Sequence, residues 1–355
     1  MEQQKIIISA NLEKDLAAAM AACQADRTFV LVDETTERLC LPVVQHFGCM
    51  NGVKTIVIQA GDDHKTTESL CHVWSELQRM GTTRHSLLLN LGGGMVTDLG
   101  GFAAATFKRG IHCINIPTTL LAMVDASVGG KTGINFGGLK NEVGVFRNAS
   151  SVILDTVFLR TMDHANLLSG YAEMLKHGLI SPKREGSGML GELLVYDLEH
   201  PDLTMLQRMV VDSVQVKQRI VLEDPTEQGL RKALNLGHTV GHAFESLALH
   251  QGQPVLHGYA VAWGLVCELY LSAVKMGFPV STMRQVAGFI NEHYGRMAIT
   301  CADYPTLLEL MQHDKKNVAN QINFSLLSDV GMLQLNQTAT KAEIEEALDF
   351  YREGQ

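Results

Sequence analysis

The chain has 355 residues, of which 46% are hydrophobic and 19% are charged, and its formal net charge is −9. This composition is typical of a globular protein that is large enough for two domains. The negative charge disfavours nucleic acid as a partner. A site for an anionic ligand would therefore have to be a local group of cations within an acidic protein.

Simple sequence patterns indicate whether a chain is secreted or spans a membrane. Residues 1–15 lack the apolar core of a signal peptide, and we find no apolar run of membrane-spanning length. The seven cysteines are scattered and contain no C-x-x-C pair, which argues against a disulfide framework and against a thiolate zinc site. We therefore predict a cytoplasmic protein that has no membrane partner.

The first half of the chain alternates strand and helix signals, which predicts a doubly wound, Rossmann-like parallel sheet. Short apolar runs that are rich in β-branched residues and bounded by turn residues predict strands at Thr28–Asp33, Thr55–Gln59, Ser86–Leu91, Cys113–Ile116 and Val152–Leu154. Apolar residues at helical spacing predict a helix over Ser69–Met80. Ligands of such sheets bind at the carboxyl ends of the strands, where Asp33 and Gly92–Gly94 fall.

The segment Gly92–Asn141 is the most informative part of the chain. It opens with three glycines directly after the apolar run SLLLNL. A glycine-rich turn between a strand and a helix points backbone N–H groups at an anion. The cations Arg109, Lys131 and Lys140 follow in the same segment. We interpret it as a site for a phosphorylated ligand, most simply a dinucleotide. The alternative, a glycine-rich packing loop, would leave these cations unexplained.

Helical periodicity dominates from about residue 163 onward. The clearest helices are predicted at Val210–Leu222, Lys232–Leu249 and Ala260–Met276, and the one later strand candidate is Asn323–Leu327. The pattern predicts an α/β domain over residues 1–160 and an all-α domain over residues 161–355.

The motif LNLGHTVGHAFE at residues 234–245 is the strongest chemical signal in the second half. His238 and His242 are four residues apart, so they share one face of a helix. His257 supplies a third imidazole at the start of another helix, and Glu173 supplies a carboxylate. One carboxylate with two or three imidazoles suits zinc. Spacing alone would make His242 a ligand as readily as the other two histidines.

Two cations flank these metal candidates. Arg231 precedes His238 and could bind a carboxylate with its guanidinium fork, whereas Lys217 could equally lie on a solvated helical face. A nucleotide site, a metal site and nearby cations together predict hydride transfer on an anionic substrate whose hydroxyls are polarised by the metal.

Several long motifs occur in order from about Asp33 to Lys316, and together they resemble the 3-dehydroquinate synthase family of sugar-phosphate cyclases. They are GGGMVTDLGGFAAATFKRG, IPTTLLAMVDASVGGKTGIN, LKNEVGVF, GYAEMLKHGLI and LNLGHTVGHAFE. The resemblance implies an NAD-dependent carbon–oxygen lyase of the shikimate pathway that holds one zinc or cobalt ion. Its substrate would be 3-deoxy-D-arabino-heptulosonate 7-phosphate. The implied reaction is transient oxidation by NAD, β-elimination of phosphate, re-reduction and aldol closure to 3-dehydroquinate.

The resemblance also implies roles for individual residues. The NAD-binding domain would be 1–160 and the metal- and substrate-binding domain 161–355. The implied cofactor-binding residues are Asp33, Asp62, Lys65, Gly93, Gly94, Met95, Asp98, Thr118, Thr119, Lys131, Lys140, Phe158 and Thr161. The implied metal ligands are Glu173, His238 and His257, while His242 would lie beside the substrate.

The remaining implied positions concern the substrate. The implied catalytic and substrate-pocket residues are Asp125, Lys131, Asn141, Lys176, Lys217, Arg231, Leu234, Asn235 and His242. Arg109 would be supplied by the neighbouring subunit, which implies a homodimer. One of Lys315 and Lys316 would bind the substrate phosphate.

The chain departs from the family pattern at two positions. Asp62 stands where a glutamate is usual, and Tyr259 stands where the family has the glutamate of an H-G-E motif. The second change removes a carboxylate near the implied metal ligand His257, which puts the tuning of the metal in doubt. Three other functions stay open at this point: a related cyclase whose substrate has no carboxylate, a metal-dependent polyol dehydrogenase, and a non-catalytic nucleotide- or phosphate-binding paralogue.

Overall fold

The computed structural model describes residues 4–137, 139–182, 188–312 and 321–354. The chain folds into two compact units. The first unit comprises Met1–Asp163 and Leu203–Val214, and the second comprises His164–Asp202 and Gln215–Gln355.

The first unit is built on a six-stranded parallel sheet. The strands of this unit are β1 (Ile6–Ile8), β2 (Thr28–Asp33), β3 (Lys54–Ile58), β4 (Leu87–Gly92), β5 (His112–Pro117), β6 (Lys131–Phe136), β7 (Leu139–Phe146) and β8 (Ser151–Leu154), of which all but β6 and β7 belong to the sheet. Its helices are α1 (Leu12–Ala22), α2 (Glu34–Leu39), α3 (Leu41–Val44), α4 (Thr67–Arg79) and α5 (Gly94–Thr106). The sheet order is β1-β8-β5-β4-β2-β3, which confirms the predicted α/β class.

The central strands form because they are apolar almost without interruption. All of β4 is buried, as is β2 from its second residue onward, as expected for a parallel sheet that is covered on both faces. Leu70 and Val73 of α4 and Leu99 of α5 belong to the same buried cluster as Phe29 and Leu31 of β2. The predicted strands agree with the observed ones to within one residue at each end.

Strands β6 and β7 form an antiparallel hairpin outside the six-stranded sheet. The sequence did not predict this hairpin, because its glycines weaken the usual strand signal. The structure gives these glycines a packing role. A Cβ on Gly133 would lie 2.5 Å from the Val143 carbonyl oxygen, and one on Gly144 would lie 2.1 Å from the Thr132 oxygen.

The second unit is mainly helical, as predicted. Its elements are α6 (His164–Ile180), α7 (Gly188–Leu194), the last part of α8 (Leu203–Glu223), α9 (His238–His250), α10 (His257–Met276), α11 (Val280–Tyr294), α12 (Tyr304–Gln312), β9 (Asn323–Asp329), β10 (Met332–Thr338) and α13 (Lys341–Glu353). Strands β9 and β10 form an antiparallel pair. The candidate strand at Asn323–Leu327 is confirmed, whereas β10 was missed because its sequence, MLQLNQT, is half polar.

Two predicted helices start far from the expected residue. The helix expected over Val210–Leu222 begins already at Leu203. The helix expected over Lys232–Leu249 begins only at His238, and a separate 3-10 turn spans Leu230–Asn235. Gly237 between them has a φ of +79°, a left-handed conformation that an α-helix cannot contain. The placement of His238 and His242 on one helix is unaffected.

Helix α10 is long and apolar enough to span a membrane by length and composition, which the sequence analysis had not recognised. However, 67% of its apolar window is buried inside the protein, which is typical of the core helix of a globular domain. All seven cysteines lie in the described part of the chain, and none of them forms a disulfide.

Helices α9 and α10 pack backbone to backbone. A Cβ on Gly264 of α10 would lie 2.0 Å from the Gly237 carbonyl oxygen and 2.6 Å from the Gly241 nitrogen. Neither neighbour is a flexible side chain, so a larger residue must push the two helices apart.

We predict that Gly264→Ala lowers the free energy of unfolding by about 1–3 kcal/mol, the usual cost of overpacking. The matched control is Gly288→Ala in α11, where an added Cβ meets nothing within 4 Å. That control should stabilise the protein by about 0.5–1 kcal/mol, because alanine loses less backbone entropy than glycine in a helix. Denaturant unfolding of both variants tests the prediction, and equal stabilisation by the two would contradict it.

Candidate functional site

The glycine turn after β4 has the geometry expected of an anion site. Strand β4 ends at Gly92 and helix α5 begins at Gly94. A Cβ on Gly93 would lie 3.2 Å from Thr119 Cγ2, and one on Gly94 would lie 3.3 Å from Ala126 Cβ. The glycines therefore keep this turn close to the loop that follows β5. The first turn of a helix presents backbone N–H groups that have no intrahelical partner, and the helix dipole favours an anion there.

The sheet order brings other predicted cofactor residues to the same edge. Strands β2, β4 and β5 are neighbours, so Asp33, Gly93 and Thr118 all lie at their carboxyl ends. Asp33 is buried and caps helix α2, because its Oδ1 accepts a hydrogen bond from the Thr36 amide at 2.7 Å. Met95 lies half-buried in the first turn of α5.

A buried lysine ties several of these residues together. Lys65 Nζ lies 3.2 Å from Asp98 Oδ2 and 3.3 Å from Asp62 Oδ1, and it donates to Asn141 Oδ1 at 2.6 Å. Lys140 Nζ lies 3.3 Å from the other oxygen of Asp62. The structure thus brings together residues that the sequence had assigned partly to the cofactor and partly to the substrate.

The other assigned residues of the first unit occupy varied positions. Lys131 begins β6 and is exposed, and Arg109 is exposed in a 3-10 turn with a left-handed φ of +68°. Asp125 is half-buried in a π-helical turn. Phe158 is fully buried, so its side chain is a core residue, while the Thr161 hydroxyl donates to the Phe158 carbonyl at 2.8 Å.

In the second unit, three residues of the predicted metal site converge. Glu173 Oε1 lies 3.3 Å from His238 Nε2 and 3.6 Å from His257 Nε2. In a tetrahedral zinc site whose bonds are about 2.0–2.1 Å long, neighbouring ligand atoms lie about 3.3–3.4 Å apart. The two distances from Glu173 Oε1 are therefore close to those between ligands of one metal ion.

The two imidazoles are held by their other nitrogen atoms. His238 Nδ1 lies 3.1 Å from the Leu236 carbonyl oxygen, and His257 Nδ1 lies 3.3 Å from Glu245 Oε2. An oxygen acceptor at Nδ1 favours the tautomer that carries its proton there, which leaves the Nε2 lone pair for a metal. Glu245 is buried and was missed as a functional residue, although it stands in the quoted motif three residues after His242.

The electrostatics of this cluster are unusual because it is buried. Burial would raise the pKa of Glu173, but Lys176, with which it forms an ion pair, and His238 outweigh that effect and hold its pKa well below the ordinary range. Burial, aided by Lys176, lowers the pKa of His238 to about 3. Burial also acts to lower the pKa of His257, but its hydrogen bonds to Glu173 and Glu245 prevail and raise it to about 10. His238 is therefore neutral at neutral pH, the form that ligates metals, whereas His257 is protonated in the metal-free protein and would release a proton on binding a metal.

A third buried carboxylate fixes the helix that carries His238 and His242. Glu268 of α10 is fully buried, and its two oxygens accept hydrogen bonds from the Gly237 and Val240 amides at 2.6 and 3.1 Å. It therefore caps the N-terminus of α9, where negative charge is favourable. Sequence reasoning missed Glu268, although it is the single charged residue between Gly258 and Val274 of an otherwise apolar helix.

Helix α6 is fixed to α10 just as closely. A Cβ on Gly258 would lie 1.9 Å from the Ser169 carbonyl oxygen, and the Gly258 amide donates to Ser169 Oγ at 3.1 Å. Ser169 lies one helical turn before Glu173, and Gly258 follows His257. The contact thus sets the distance between the carboxylate and the second imidazole.

His242 is the third imidazole of the cluster. Its ring lies 5.3 Å from that of His238 and 5.8 Å from that of His257. One ligand nitrogen from each of the three histidines can be chosen so that all lie within 4.8 Å of one another. On geometry alone, His242 therefore competes with Glu173 for a place in the metal site.

The predicted substrate residues of this unit are largely buried. Arg231 is 1% exposed, its amide donates to Asp224 Oδ2 at 3.0 Å, and its Nη1 donates to the Pro225 carbonyl at 2.8 Å. Leu234 is buried in the same 3-10 turn, and Asn235 donates to Glu227 at 2.9 Å. Lys217 is 6% exposed, so it does not lie on a solvated face of α8.

Lys315 and Lys316 lie outside the described residues. The Tyr259 ring packs against Tyr294 at 5.3 Å and Trp263 at 6.1 Å. Tyr259 thus contributes to an aromatic cluster, while Glu245 supplies a carboxylate at His257.

Comparison with known proteins places this architecture in a known class. The chain superposes on 2-deoxy-scyllo-inosose synthase complexed with carbaglucose-6-phosphate, NAD⁺ and Co²⁺ with a TM-score of 0.85 and 23% identity, over 99% of this chain and 96% of that one. It also superposes on 2-epi-5-epi-valiolone synthase from Streptomyces hygroscopicus subsp. jinggangensis 5008 with NAD⁺ and Zn²⁺ bound, with a TM-score of 0.84 and 25% identity over 100% and 98% of the two chains. The fold is therefore that of the sugar-phosphate cyclases.

The family follows from the sequence matches. The 3-dehydroquinate synthase N-terminal model matches residues 55–169, and the corresponding C-terminal model matches residues 170–317. The 3-dehydroquinate synthase of Parabacteroides distasonis is 51% identical over 353 residues, which cover 99% of each chain. The chain belongs to the 3-dehydroquinate synthase family.

Asp98 provides a test of the electrostatics in the first unit. Burial raises the pKa of Asp98 from 3.8 to about 6, although Lys65 acts in the opposite direction. Between these two pH values the folded protein binds more protons than the unfolded chain at this residue, so its contribution to stability falls as the pH rises.

We predict a midpoint near pH 6 for Asp98 in a carboxyl-carbon NMR titration. Asp98 should lower the free energy of unfolding of the wild type by about 1–3 kcal/mol between pH 4 and pH 7. Replacement of Asp98 by asparagine should remove this pH-dependent loss. A midpoint below pH 4.5 would show that the ion pair with Lys65 dominates over burial.

Proposed function

We propose that this chain converts 3-deoxy-D-arabino-heptulosonate 7-phosphate into 3-dehydroquinate and phosphate in the shikimate pathway. Identity of 51% over 99% of a 3-dehydroquinate synthase supports this reaction. The observation that carries the proposal is the convergence of the Glu173, His238 and His257 ligand atoms at the spacing of a tetrahedral metal site.

We assign Glu173, His238 and His257 as the ligands of one zinc or cobalt ion. The metal would polarise the substrate hydroxyls and lower their pKa. Leu236 and Glu245 would orient the two imidazoles through Nδ1. His242 would then be left for the substrate, in agreement with the family pattern.

We assign the glycine turn of the first unit to NAD. The amides at the start of α5 would bind the pyrophosphate, and Asp33 would accept hydrogen bonds from ribose hydroxyls. NAD would supply the hydride acceptor for a transient oxidation and return the hydride later in the same turnover. Thr118 and Thr119 would lie beside it, since they follow the neighbouring strand β5.

The substrate has two anionic groups, and the chain offers cations for both. Arg231 would bind the carboxylate, and its contacts with Asp224 and Pro225 fix its place beforehand. Lys131, Lys140, Lys176 and one of Lys315 and Lys316 would offset the charge of the phosphate. The phosphate is the leaving group, and it would accept the proton released in the elimination. A requirement for Arg231 separates this proposal from a cyclase whose substrate has no carboxylate.

We further propose that the enzyme is a homodimer in the cytoplasm. Arg109 is exposed, and the family pattern places the matching arginine in the site of the neighbouring subunit. The hairpin supports association of two subunits, because it exposes a set of large apolar side chains: Phe136, Leu139, Val143, Val145 and Phe146.

We expect light scattering to give twice the monomer mass for the purified protein. A monomer at micromolar concentration would contradict the homodimer, and it would leave Arg109 without a neighbouring site to complete.

The proposed activity has a direct assay. Purified protein with NAD and zinc should release inorganic phosphate from the heptulosonate phosphate without accumulating NADH, because the hydride is returned in each turnover. Chelation should abolish phosphate release, and added zinc or cobalt should restore it. Net NADH formation from a simple polyol, with no phosphate release, would instead identify a polyol dehydrogenase.

Arg231 provides the test of carboxylate binding. Arg231→Ala should raise the activation barrier expressed by kcat/KM by about 2–5 kcal/mol, as for truncation of one partner of a buried charge pair. Arg231→Lys should recover only part of this loss, since lysine cannot form the bidentate fork. Arg284→Ala, which removes an exposed arginine of α11, is the matched control and should leave the kinetics unchanged. Unchanged kinetics in Arg231→Ala would rule out the assigned pocket.

A further inference from the structure

Asn135 occupies an irregular point of the β6–β7 hairpin. The pairing register of the two strands shifts between Ile134 and Phe136. The Asn135 amide donates to the Lys65 carbonyl oxygen at 2.7 Å, on the turn that follows β3. The shift in register therefore turns the backbone of this residue toward the proposed cofactor loop.

The side chain of Asn135 bonds in two further directions. Its Nδ2 donates to the Asp62 carbonyl oxygen at 2.8 Å, and its Oδ1 accepts from the Asn141 amide at 2.9 Å. One side chain thus joins the Asp62–Lys65 turn to strand β7.

The contacts close into a ring. Lys65 Nζ donates to Asn141 Oδ1 at 2.6 Å, so Lys65, Asn135 and Asn141 are each hydrogen-bonded to both of the others. Asn141 has a φ of +52°, in the left-handed region that non-glycine residues rarely adopt. A conformation of this kind persists where the surrounding contacts fix it, and such residues cluster at functional sites.

We propose that Asn135 is a positioning residue that holds Asn141 in its left-handed conformation and fixes strand β7 to the cofactor loop. This inference rests on the proposed function, in which Lys65 serves the cofactor and Asn141 the substrate. The ring fixes the position of Lys65 relative to Asn141, so that a displacement of either residue also moves the other. Asn135 was not among the residues that the sequence analysis singled out.

A double-mutant cycle on kcat/KM tests whether Asn135 acts through Asn141. Asn135→Ala should lower kcat/KM about 3- to 10-fold, the range expected for the loss of a typical hydrogen bond. In the Asn141→Ala background the same substitution should lower it less than about 2-fold, because its target has been removed. Asn51→Ala, at an exposed turn of the same unit, is the matched control and should change nothing. If the loss of kcat/KM in the double variant equals the product of the losses in the two single variants, the proposal is overturned.

Two further measurements keep the result interpretable. The melting temperature of each variant is compared with that of the wild type, and if Asn135→Ala does not fold, Asn135→Asp replaces it in the same cycle, since it keeps the acceptor for the Asn141 amide but loses the donor to Asp62. Wild-type protein that releases no phosphate would refute the proposed function itself. Active wild-type protein with multiplicative effects would refute the role of Asn135 alone.

Discussion

The close contact between helices α9 and α10 is the constraint on which the rest of the second unit depends. Gly264 meets the backbone at Gly237 and Gly241 at distances that no side chain could occupy. Glu268 reaches across the same contact to cap the first turn of α9. Together they set where His238 stands relative to His257. Metal binding tolerates errors of only a few tenths of an ångström in such distances, so the packing of glycines determines the chemistry.

Neighbouring charges explain how a carboxylate can be buried among imidazoles. Glu173 is fully buried, which by itself would favour its neutral form. Lys176 and His238 reverse that preference, so the carboxylate is charged before any metal binds. The buried lysine is stabilised in turn by this partner. We infer that ion pairs hold the metal-binding side chains together in the metal-free protein. A bound metal would replace part of this stabilisation.

The fold could be predicted from the sequence where local patterns and tertiary packing agree. Strands β2 and β4 are continuous apolar runs between turn residues, and their ends agree with the prediction to within one residue. The hairpin of β6 and β7 could not be predicted, because Gly133 and Gly144 are required by a close approach of the two strands and carry no strand signal. The break before α9 depends on the left-handed φ of Gly237, which a helical pattern conceals.

The candidate site, like the fold, could be predicted from the sequence only in part. The histidines and Glu173 could be named from spacing and family motifs, because their residue types and order are distinctive. Glu245, Glu268 and Asn135 could not, since each acts by a hydrogen bond to a residue that is distant in the chain or on another element. The choice between Glu173 and His242 as a metal ligand likewise depends on three-dimensional positions, because spacing along a helix left both residues as candidates.

Anomalous diffraction from crystals of the zinc-loaded protein tests the central assignment most directly. We predict one zinc peak at about 2.0–2.2 Å from Glu173, His238 and His257, with His242 outside bonding distance. A peak bonded to His238, His242 and His257 without Glu173, or no peak at this cluster, would contradict it.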